Sequence, residues 1–471
     1  MGIEPTNTSL IWILCGLAAF FTSRIALLSL LIFASAFQAN SVFGLVYNEV
    51  NFPIIPYYWV GILIFVRLLL DLLAGRLSRV PPGLGLATLS FVLLGFYALI
   101  SIIVLPFIFG GLPVYDPRGG IDEQYMNPST LKFSLSMIGQ TVLLWLNILI
   151  LFWSAVYPKK HTETGKLLKW LQWSIAFTVG IALWQFVARY LDVPFPYELF
   201  HNVKGWSLGY DQTVEDIQRV SGSFTEPSNL ATFLLGFTVF LLALGVSRKT
   251  FKGLHVLFML SLTTLLLTTS TTAYIGLTLV GILIITFHFI VPLIIKGKID
   301  RKKVISIIIG MGLTSAMIIM LATVFWEPVF KIIQVLIVEK GDSGSFVHRL
   351  ASDFHAIKLF FQTAMLGVGI GGNRSSSFLT WLLSNVGIFG SLLFMIGTWY
   401  TAQTAIKSAC KEGAHRSDRC SLAVAMMWGL VGTLMAKFIA QPDLNFPSLW
   451  IWLILLAFMS SVDKPSERKA L

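Results

Sequence analysis

Charged side chains are scarce in this chain: they make up 12% of its 471 residues, whereas 56% of the residues are hydrophobic. Water-soluble domains carry about 25% charged residues. Together with a mean hydropathy of +0.79, the composition therefore excludes that class of protein. No polar stretch is long enough to fold as a separate soluble domain. We expect residues 1–471 to form a single transmembrane domain.

Cysteine is also scarce, with only Cys15, Cys410 and Cys420 in the chain. Their spacing indicates neither a disulfide framework nor a metal site, so we predict three free thiols, no metal and no cofactor. The sequence has no charged segment ahead of its first apolar run, from which we expect no cleavable signal peptide. It also has no repeat of about 20–50 residues, which excludes a solenoid.

Apolar runs long enough to cross a membrane follow one another along most of the sequence. A spanning helix needs about 20 such residues. The sequence predicts an all-α polytopic membrane protein with about 13 transmembrane helices. The predicted spans cover residues 9–22, 25–44, 56–74, 83–108, 131–157, 170–190, 229–247, 256–272, 274–295, 304–326, 377–405, 421–440 and 447–462.

The net charge of +11 follows the predicted membrane topology. Most Lys and Arg residues fall in every second connection between the spans, for example at 159–169 and 296–303. The positive-inside rule places these connections in the cytoplasm, with the N-terminus outside and the C-terminus inside. The charge therefore gives no reason to expect a nucleic-acid partner, and the expected surroundings are membrane lipids.

Three connections on the predicted outer side carry most of the polar residues. Two are long, 191–228 and 327–376, and one is shorter, 109–130. The apolar spacing within 327–376 predicts helices that lie along the membrane surface. Because functional residues concentrate on loops that a rigid scaffold positions, we expect any chemistry at the outer face.

The first motif, RVSGSFTEPSNLA, starts at Arg219 and leads into the predicted span 229–247. Pro227 favours the first turn of that helix, which places Glu226 at its positive end. Glu226 is then either a cap matched to the helix dipole or a carboxylate near Arg219 that accepts a proton from a sugar hydroxyl. The sequence leaves both interpretations open.

The second motif, HRLASD, contains His348, Arg349 and Asp353. Helical periodicity puts Arg349 and Asp353 four residues apart on one face. They form either an interfacial ion pair or a site in which Asp353 orients Arg349 toward an anionic ligand.

The third motif, GVGIGGNRSSSF, leads into the predicted span 377–405. Its glycines, among them Gly369 and Gly371, can expose backbone N–H groups to a phosphate at the start of a helix. Arg374 follows at the same membrane boundary. Arginine binds phosphate oxygens bidentately and keeps its charge. Arg219, Arg349 and Arg374 together therefore favour a lipid-linked pyrophosphate over simple contact with anionic headgroups.

These motifs, in this order, resemble the Wzy/O-antigen ligase superfamily of bacterial polysaccharide enzymes. The resemblance covers the layout of the spans and is most specific across 219–228 and 345–390. It implies a GT-C-type glycosyltransferase that acts without metal at the extracytoplasmic face of the bacterial inner membrane. It also implies undecaprenyl-diphosphate-linked oligosaccharides as donor and acceptor, with Arg219 and Arg349 holding the donor diphosphate.

The sequence departs from the ligase branch of that superfamily at one point. Ligases have a histidine just after the glycine-rich stretch, and this chain has none between His355 and His415. The resemblance therefore implies a polymerase that inverts the anomeric carbon, with Glu226, His348 or Asp353 as candidate catalytic residues. A chain-length regulator and a flippase are expected partners. The alternatives are an O-antigen ligase acting on lipid A core and, in another class, a transporter or flippase of lipid-linked sugars.

Overall fold

The computed structural model describes residues 2–47, 50–117, 128–157, 163–205, 208–209, 212–214, 217–247, 251–287, 312, 344–410 and 416–460. This part of the chain is mainly helical. Its helices are α1 (Ser9–Thr22), α2 (Arg24–Ala34), α3 (Pro56–Leu73), α4 (Gly85–Ile108), α5 (Leu135–Val156), α6 (Glu163–Leu191), α7 (Tyr197–Phe200), α8 (Pro227–Val246), α9 (Leu254–Leu267), α10 (Thr271–Ile285), α11 (Gly344–Gln362), α12 (Phe378–Cys410), α13 (Arg416–Ala440) and α14 (Pro447–Ser460). Its strands are β1 (Gly2–Pro5), β2 (Phe43–Tyr47), β3 (Val50–Ile54), β4 (Pro113–Val114), β5 (Ser129–Thr130), β6 (Thr213–Val214) and β7 (Ile217–Gln218).

Among the described residues, seven helices are long and apolar enough to cross a membrane. They are α3, α4, α5, α6, α8, α12 and α13, while α1, α2, α9, α10 and α14 are apolar but shorter. The chain therefore has the character of a helical membrane protein. The predicted span 304–326, except residue 312, and residues 327–343 of the predicted loop 327–376 lie outside the described residues, so a total of about 13 spans stays a prediction.

The centre of the bundle is formed by α8, whose side chains from Leu230 to Leu241 are all buried. Glycines let α13 approach it closely. A Cβ atom added at Gly236 would lie 2.9 Å from the carbonyl oxygen of Gly429, and one added at Gly432 would lie 3.2 Å from the Cα atom of Gly236. In apolar surroundings the hydrophobic effect does not drive helices together. Small residues at a helix crossing stabilise it instead, because they let the two backbones pack in close contact.

The predicted span 25–44 is wrong in its second half, because α2 ends at Ala34. The polar residues that follow bind other segments: the Asn40 Oδ1 atom accepts hydrogen bonds from Trp12 Nε1 and Thr8 Oγ1, both at 2.9 Å. The chain then enters β2, which pairs with β1 and β3 in an antiparallel sheet. Apart from this sheet and two short strand pairs, the described residues are mainly helical, which is consistent with the predicted all-α membrane protein.

A buried carboxylate joins three helices at the end of α3. The Asp71 side chain accepts hydrogen bonds from Arg24 Nε at 2.7 Å and Arg24 Nη2 at 2.6 Å, which is the bidentate geometry of a strong ion pair. Trp153 Nε1 donates to the same carboxylate at 3.2 Å. Arg67, the neighbour on the same helix, is more distant at 3.5 Å. The main partner therefore comes from α2 and not from the same turn of α3.

The prediction of three free thiols is wrong for two of them, because Cys410 and Cys420 form a disulfide with Cα atoms 4.7 Å apart. The bond joins the last residue of α12 to the first turns of α13, which pack side by side. Sequence spacing could not reveal this pair, since the distance between the two cysteines depends on how the helices meet. Cys15 is free and exposed.

We expect Asp71→Asn to lower the free energy of unfolding by about 3 kcal/mol, because it leaves the partly buried Arg24 without its counter-charge. Thermal unfolding of the purified protein measures the effect. Lys204→Met provides the control, since the Lys204–Glu4 ion pair at 3.4 Å is largely exposed and such pairs contribute less than about 1 kcal/mol. Equal losses in both variants would contradict the structural role given to Asp71.

Candidate functional site

The segment 219–226 is held in place by a buried glutamine of α6. The Gln185 Oε1 atom accepts hydrogen bonds from the backbone N–H groups of Ser221 at 2.9 Å and Gly222 at 2.8 Å. Gly222 has φ +59°, a conformation that favours glycine. A Cβ atom there would also lie 3.3 Å from the Ala182 side chain. The first motif is thus a turn packed on α6, positioned by contacts that its own sequence does not reveal.

Arg219 is anchored at the start of this segment. Its Nε atom donates to the carbonyl oxygen of Thr268 at 3.3 Å, and its Nη1 atom donates to Gln212 Oε1 at 2.9 Å. Arg189 in turn donates to the backbone carbonyl of Arg219. The guanidinium therefore lies beside the turn that joins α9 to α10, with a defined orientation.

The charges of Glu226 and Arg349 both act on Arg219. Burial lowers the pKa of Arg219 to about 10, the Glu226 carboxylate opposes this shift, and the like charge of Arg349 adds to it. Arg349 is exposed on α11, far from Arg219 in sequence. Three residues predicted for the site, from two segments of the chain, thus interact electrostatically through Arg219. Arg219 is thus within electrostatic range of one carboxylate and of a second guanidinium, and paired guanidinium groups suit an anionic ligand.

Glu226 occupies the N-cap position of α8 with an extended backbone, but its side chain does not cap the helix amides. Its Oε1 atom instead accepts a hydrogen bond from Ser228 Oγ at 2.5 Å. The carboxylate is partly buried at the positive end of the helix. Both interpretations from the sequence are compatible with this position, because the group matches the dipole and is also near Arg219.

Asp353 binds the start of α12. Its Oδ1 atom accepts hydrogen bonds from Ser376 N at 2.8 Å, Ser377 N at 3.0 Å and Thr380 Oγ1 at 2.6 Å. In the described part of the chain it forms no ion pair with Arg349, so the ion-pair interpretation is wrong, while the binding of an anionic ligand by Arg349 stays a prediction. The carboxylate acts as a cap supplied by a different helix and ties α11 to α12. His348, on the same helix, is partly buried.

The glycines of the third motif pack against neighbouring helices. Gly369 and Gly371 are buried, with φ +95° and +73°. A Cβ atom at Gly369 would lie 3.1 Å from the carbonyl oxygen of Ser101, and one at Gly371 would lie 2.9 Å from Gln140 Cγ. The Gly369 N–H group donates to the backbone carbonyl of Asn385 at 3.0 Å. Close approach explains why glycine is needed here, and phosphate binding by these glycines stays a prediction.

Sequence reasoning missed Asn385, which holds the third motif together. This fully buried side chain accepts hydrogen bonds from Gly372 N and Asn373 N, both at 3.0 Å, and donates to the carbonyl oxygens of Asn373 at 2.9 Å and Trp381 at 3.0 Å. Every polar group of the amide is therefore satisfied. The available signal was an asparagine within an apolar span, a position where polar residues are costly.

Arg374 lies where the third motif meets the predicted outer loop 109–130. The Arg374 N–H group donates to the carbonyl oxygen of Tyr115 at 2.8 Å, and the Asn373 Oδ1 atom accepts from Tyr115 N at 3.0 Å. The ring of His355 lies 4.7 Å from the Tyr115 ring. The predicted outer loops 109–130 and 327–376 are thus joined directly by these hydrogen bonds. His355 of α11 adds a ring contact at the same point.

A buried lysine lies beneath the start of α12. Lys437 Nζ donates to the carbonyl oxygens of Asp443 at 2.5 Å and Gln441 at 3.2 Å, and it lies 4.6 Å from the ring centre of Phe378. Carbonyl oxygens and an aromatic face together stabilise an ammonium group away from water. The contact with Phe378 connects α13 to the first residue of α12.

The same lysine is linked to the segment that carries Glu226. Gln441 Nε2 donates to Asn229 Oδ1 at 3.1 Å, and Asn229 Nδ2 donates to Thr225 Oγ1 at 2.7 Å. Lys437 therefore connects the beginnings of α8 and α12 through a short chain of polar side chains. The link was not predicted because the contact that completes it, between Gln441 and Asn229, joins residues far apart in sequence.

We expect Asn385→Ala to lower the free energy of unfolding by about 3 kcal/mol or more, because it leaves several buried backbone groups unpaired. Thermal unfolding of the purified variants measures the loss. Ser391→Ala, which removes a hydroxyl bound only to the Gly387 carbonyl of its own helix at 2.6 Å, is the control and is expected to lose less than about 1 kcal/mol. Similar midpoints for the two variants would show that Asn385 does not hold the third motif.

The part of the chain that the structure describes contains no group of three or more His, Cys, Asp or Glu side chains that could hold a metal ion. No family model matches the chain, and no curated protein matches it. A functional proposal therefore has to explain the arrangement around Arg219, Glu226 and Arg349.

Proposed function

We propose that the chain is a bacterial polysaccharide polymerase. It transfers a growing glycan from undecaprenyl diphosphate to the non-reducing end of another lipid-linked repeat unit. The observation that carries this proposal is the guanidinium of Arg219, which is anchored by Thr268 and Gln212 and lies within electrostatic range of Glu226 and Arg349. The pattern of motifs that resembles the Wzy/O-antigen ligase superfamily supports it independently.

The two arginines suit the leaving group of this reaction. When the bond between the anomeric carbon and the diphosphate oxygen breaks, negative charge develops on the departing undecaprenyl diphosphate. Guanidinium groups held in fixed positions stabilise such charge more strongly as it develops than in the ground state. Arg219 is well suited to this role, since the backbone of Thr268 and the side chain of Gln212 fix its orientation.

Glu226 is the best-placed proton acceptor of the three candidates. A hydroxyl of the acceptor sugar attacks the anomeric carbon from the side opposite the diphosphate, which inverts that carbon, and its proton passes to the Glu226 carboxylate. His348 remains a second candidate. Asp353 is less suited, because three hydrogen bonds to the start of α12 occupy its Oδ1 atom; we propose that it positions α11.

The apolar helices support a substrate that is anchored in a membrane. The predicted topology puts the site at the extracytoplasmic face of the inner membrane, where a flippase delivers lipid-linked repeats and a chain-length regulator limits the product. One feature favours a transporter instead, namely the break in α12 at Gly387, with φ +60° and ψ −166°. A Cβ atom there would lie 2.4 Å from the carbonyl oxygen of Leu366. The break is therefore filled by the chain itself, whereas transporters use such breaks to line a substrate cavity.

Arg219→Ala and Arg349→Ala are each expected to lower the rate of polymer formation by about 10²–10³-fold, since each removes a donor that stabilises the leaving group. The assay uses the purified protein and a single lipid-linked repeat, with and without lipid A core. Arg79→Ala is the control: this arginine is exposed after α3, outside the site, and the variant is expected to retain normal activity.

The products distinguish the candidate functions. A ladder of lengths supports the polymerase, transfer only to lipid A core indicates the ligase, and the absence of any covalent product indicates transport. A normal ladder from both alanine variants of the site would contradict the role of the two arginines while leaving the polymerase activity itself established.

A further inference from the structure

The turn between α9 and α10 is in direct contact with Arg219. The Thr268 carbonyl oxygen accepts a hydrogen bond from Arg219 Nε at 3.3 Å. Ser270 begins α10, where its Oγ atom accepts from Thr272 N at 3.3 Å. The turn thus places the N-terminal end of a helix, with its partial positive charge, near the guanidinium.

Thr269, the middle residue of this turn, has an unfavourable backbone. Its φ of +44° lies in the left-handed region, which β-branched residues rarely adopt. Of the four described non-glycine residues with positive φ, namely Asp192, Thr269, Ala364 and Met365, it is the β-branched one. Conformations of this kind persist where the surrounding structure imposes them and are frequent at binding sites.

The hydroxyl of Thr269 has no hydrogen-bond partner among the residues that the structure describes. The residue is only 5% exposed, so the hydroxyl is withdrawn from bulk water. A buried hydroxyl without a partner is unfavourable. The position therefore combines an unusual backbone with an unused hydrogen-bond donor, next to the residue that contacts Arg219.

Thr88 and Thr398 also have hydroxyl groups without a described partner. Both lie within regular helices, α4 and α12, where a threonine hydroxyl can turn toward the carbonyl of the preceding turn. Neither has the left-handed backbone of Thr269. The unpaired hydroxyl at Thr269 is therefore set apart by its place in the turn beside Arg219.

We propose that the Thr269 hydroxyl donates a hydrogen bond to a phosphoryl oxygen of the diphosphate that Arg219 binds, at the N-terminal end of α10. This inference rests on the proposed function and names a further substrate-binding residue for it. A neutral donor of this kind complements the guanidinium, since it directs one oxygen of the anion without adding charge. Ligand binding then pairs a hydroxyl that has no partner among the described residues.

The test compares Thr269→Val and Thr269→Ser in the purified full-length protein. Valine keeps the size and the β-branching of threonine but lacks the hydroxyl, while serine keeps the hydroxyl. Thr398→Val is the matched control, since it makes the same change at another unpaired hydroxyl. The probes are inorganic pyrophosphate and farnesyl diphosphate, and the readouts are their affinities and the midpoint of thermal unfolding without ligand.

We expect Thr269→Val to weaken the binding of both probes by about tenfold, the loss of one hydrogen bond to a charged group. Its unfolding midpoint without ligand is expected to equal or exceed that of the native protein, because the substitution removes an unpaired buried hydroxyl. Thr269→Ser and Thr398→Val are expected to bind the probes with native affinity. Farnesyl diphosphate is expected to bind more tightly than pyrophosphate if the anion belongs to a carrier lipid.

Three results would overturn the inference. The first is native probe affinity in Thr269→Val, as expected if an ordered water satisfies the hydroxyl. The second is a lowered unfolding midpoint in that variant, which would indicate a structural role. The third is the absence of any probe binding by the native protein. Equal affinity for the two probes would overturn the assignment to a carrier lipid.

The experiments distinguish a failure of the role given to Thr269 from a failure of the proposed polymerase function. If Thr269→Val weakens probe binding but the native protein forms no polymer, the diphosphate site stands and the polymerase proposal fails. If the native protein forms a polymer and Thr269→Val has native probe affinity and kinetics, the polymerase stands and the role of Thr269 fails.

Discussion

Irregular backbone at the end of an apolar bundle has to find its hydrogen-bond partners within the protein, because the surroundings supply few. Two buried amide side chains meet this requirement here. Gln185 binds the turn at Ser221 and Gly222, and Asn385 binds the glycine-rich segment at Gly372 and Asn373. Gln185 lies on α6 and Asn385 on α12. These helices, and not the loops themselves, therefore determine where the two motifs lie.

The same constraint explains the electrostatics of the site. Once Gln185 fixes the segment 219–226, Arg219 and Glu226 have fixed positions at the start of α8. The exposed Arg349 on α11 adds a second positive charge near Arg219. Asp353 holds α11 against the start of α12. Like charges are held together because packing elsewhere in the bundle stabilises the segments that carry them. The anionic ligand of the proposed function would relieve this repulsion.

Much of the helical layout could be predicted because long apolar runs identify membrane helices with little ambiguity. The predicted span 56–74 and the observed α3, Pro56–Leu73, illustrate this. The early end of α2 at Ala34 could not be predicted, since it depends on the bonds that Asn40 makes to α1 and on pairing of β2 with distant strands. A run of apolar and β-branched residues is compatible with either structure.

The candidate site shows the same division between local and distant contacts. The motifs around Arg219 and Arg349 were recognisable from residue type and spacing, because charged residues next to apolar spans are conspicuous. The roles of Asp353 and of the Cys410–Cys420 pair were not, since each depends on a neighbouring helix. The glycine-rich motif was hard to interpret for a related reason. Glycine with a positive φ occurs both in open turns that bind a ligand and in turns packed against neighbouring helices, so the sequence does not distinguish the two.

Lys437 has a consequence for how freely two helix ends can separate. Its contacts with Phe378 and, through Gln441 and Asn229, with Thr225 join the beginnings of α12 and α8. The two helix ends therefore cannot separate without breaking either the Phe378 contact or the polar chain that runs from Lys437 through Gln441 to Asn229. A charged side chain buried inside the bundle thus acts as a tie between two distant parts of the sequence.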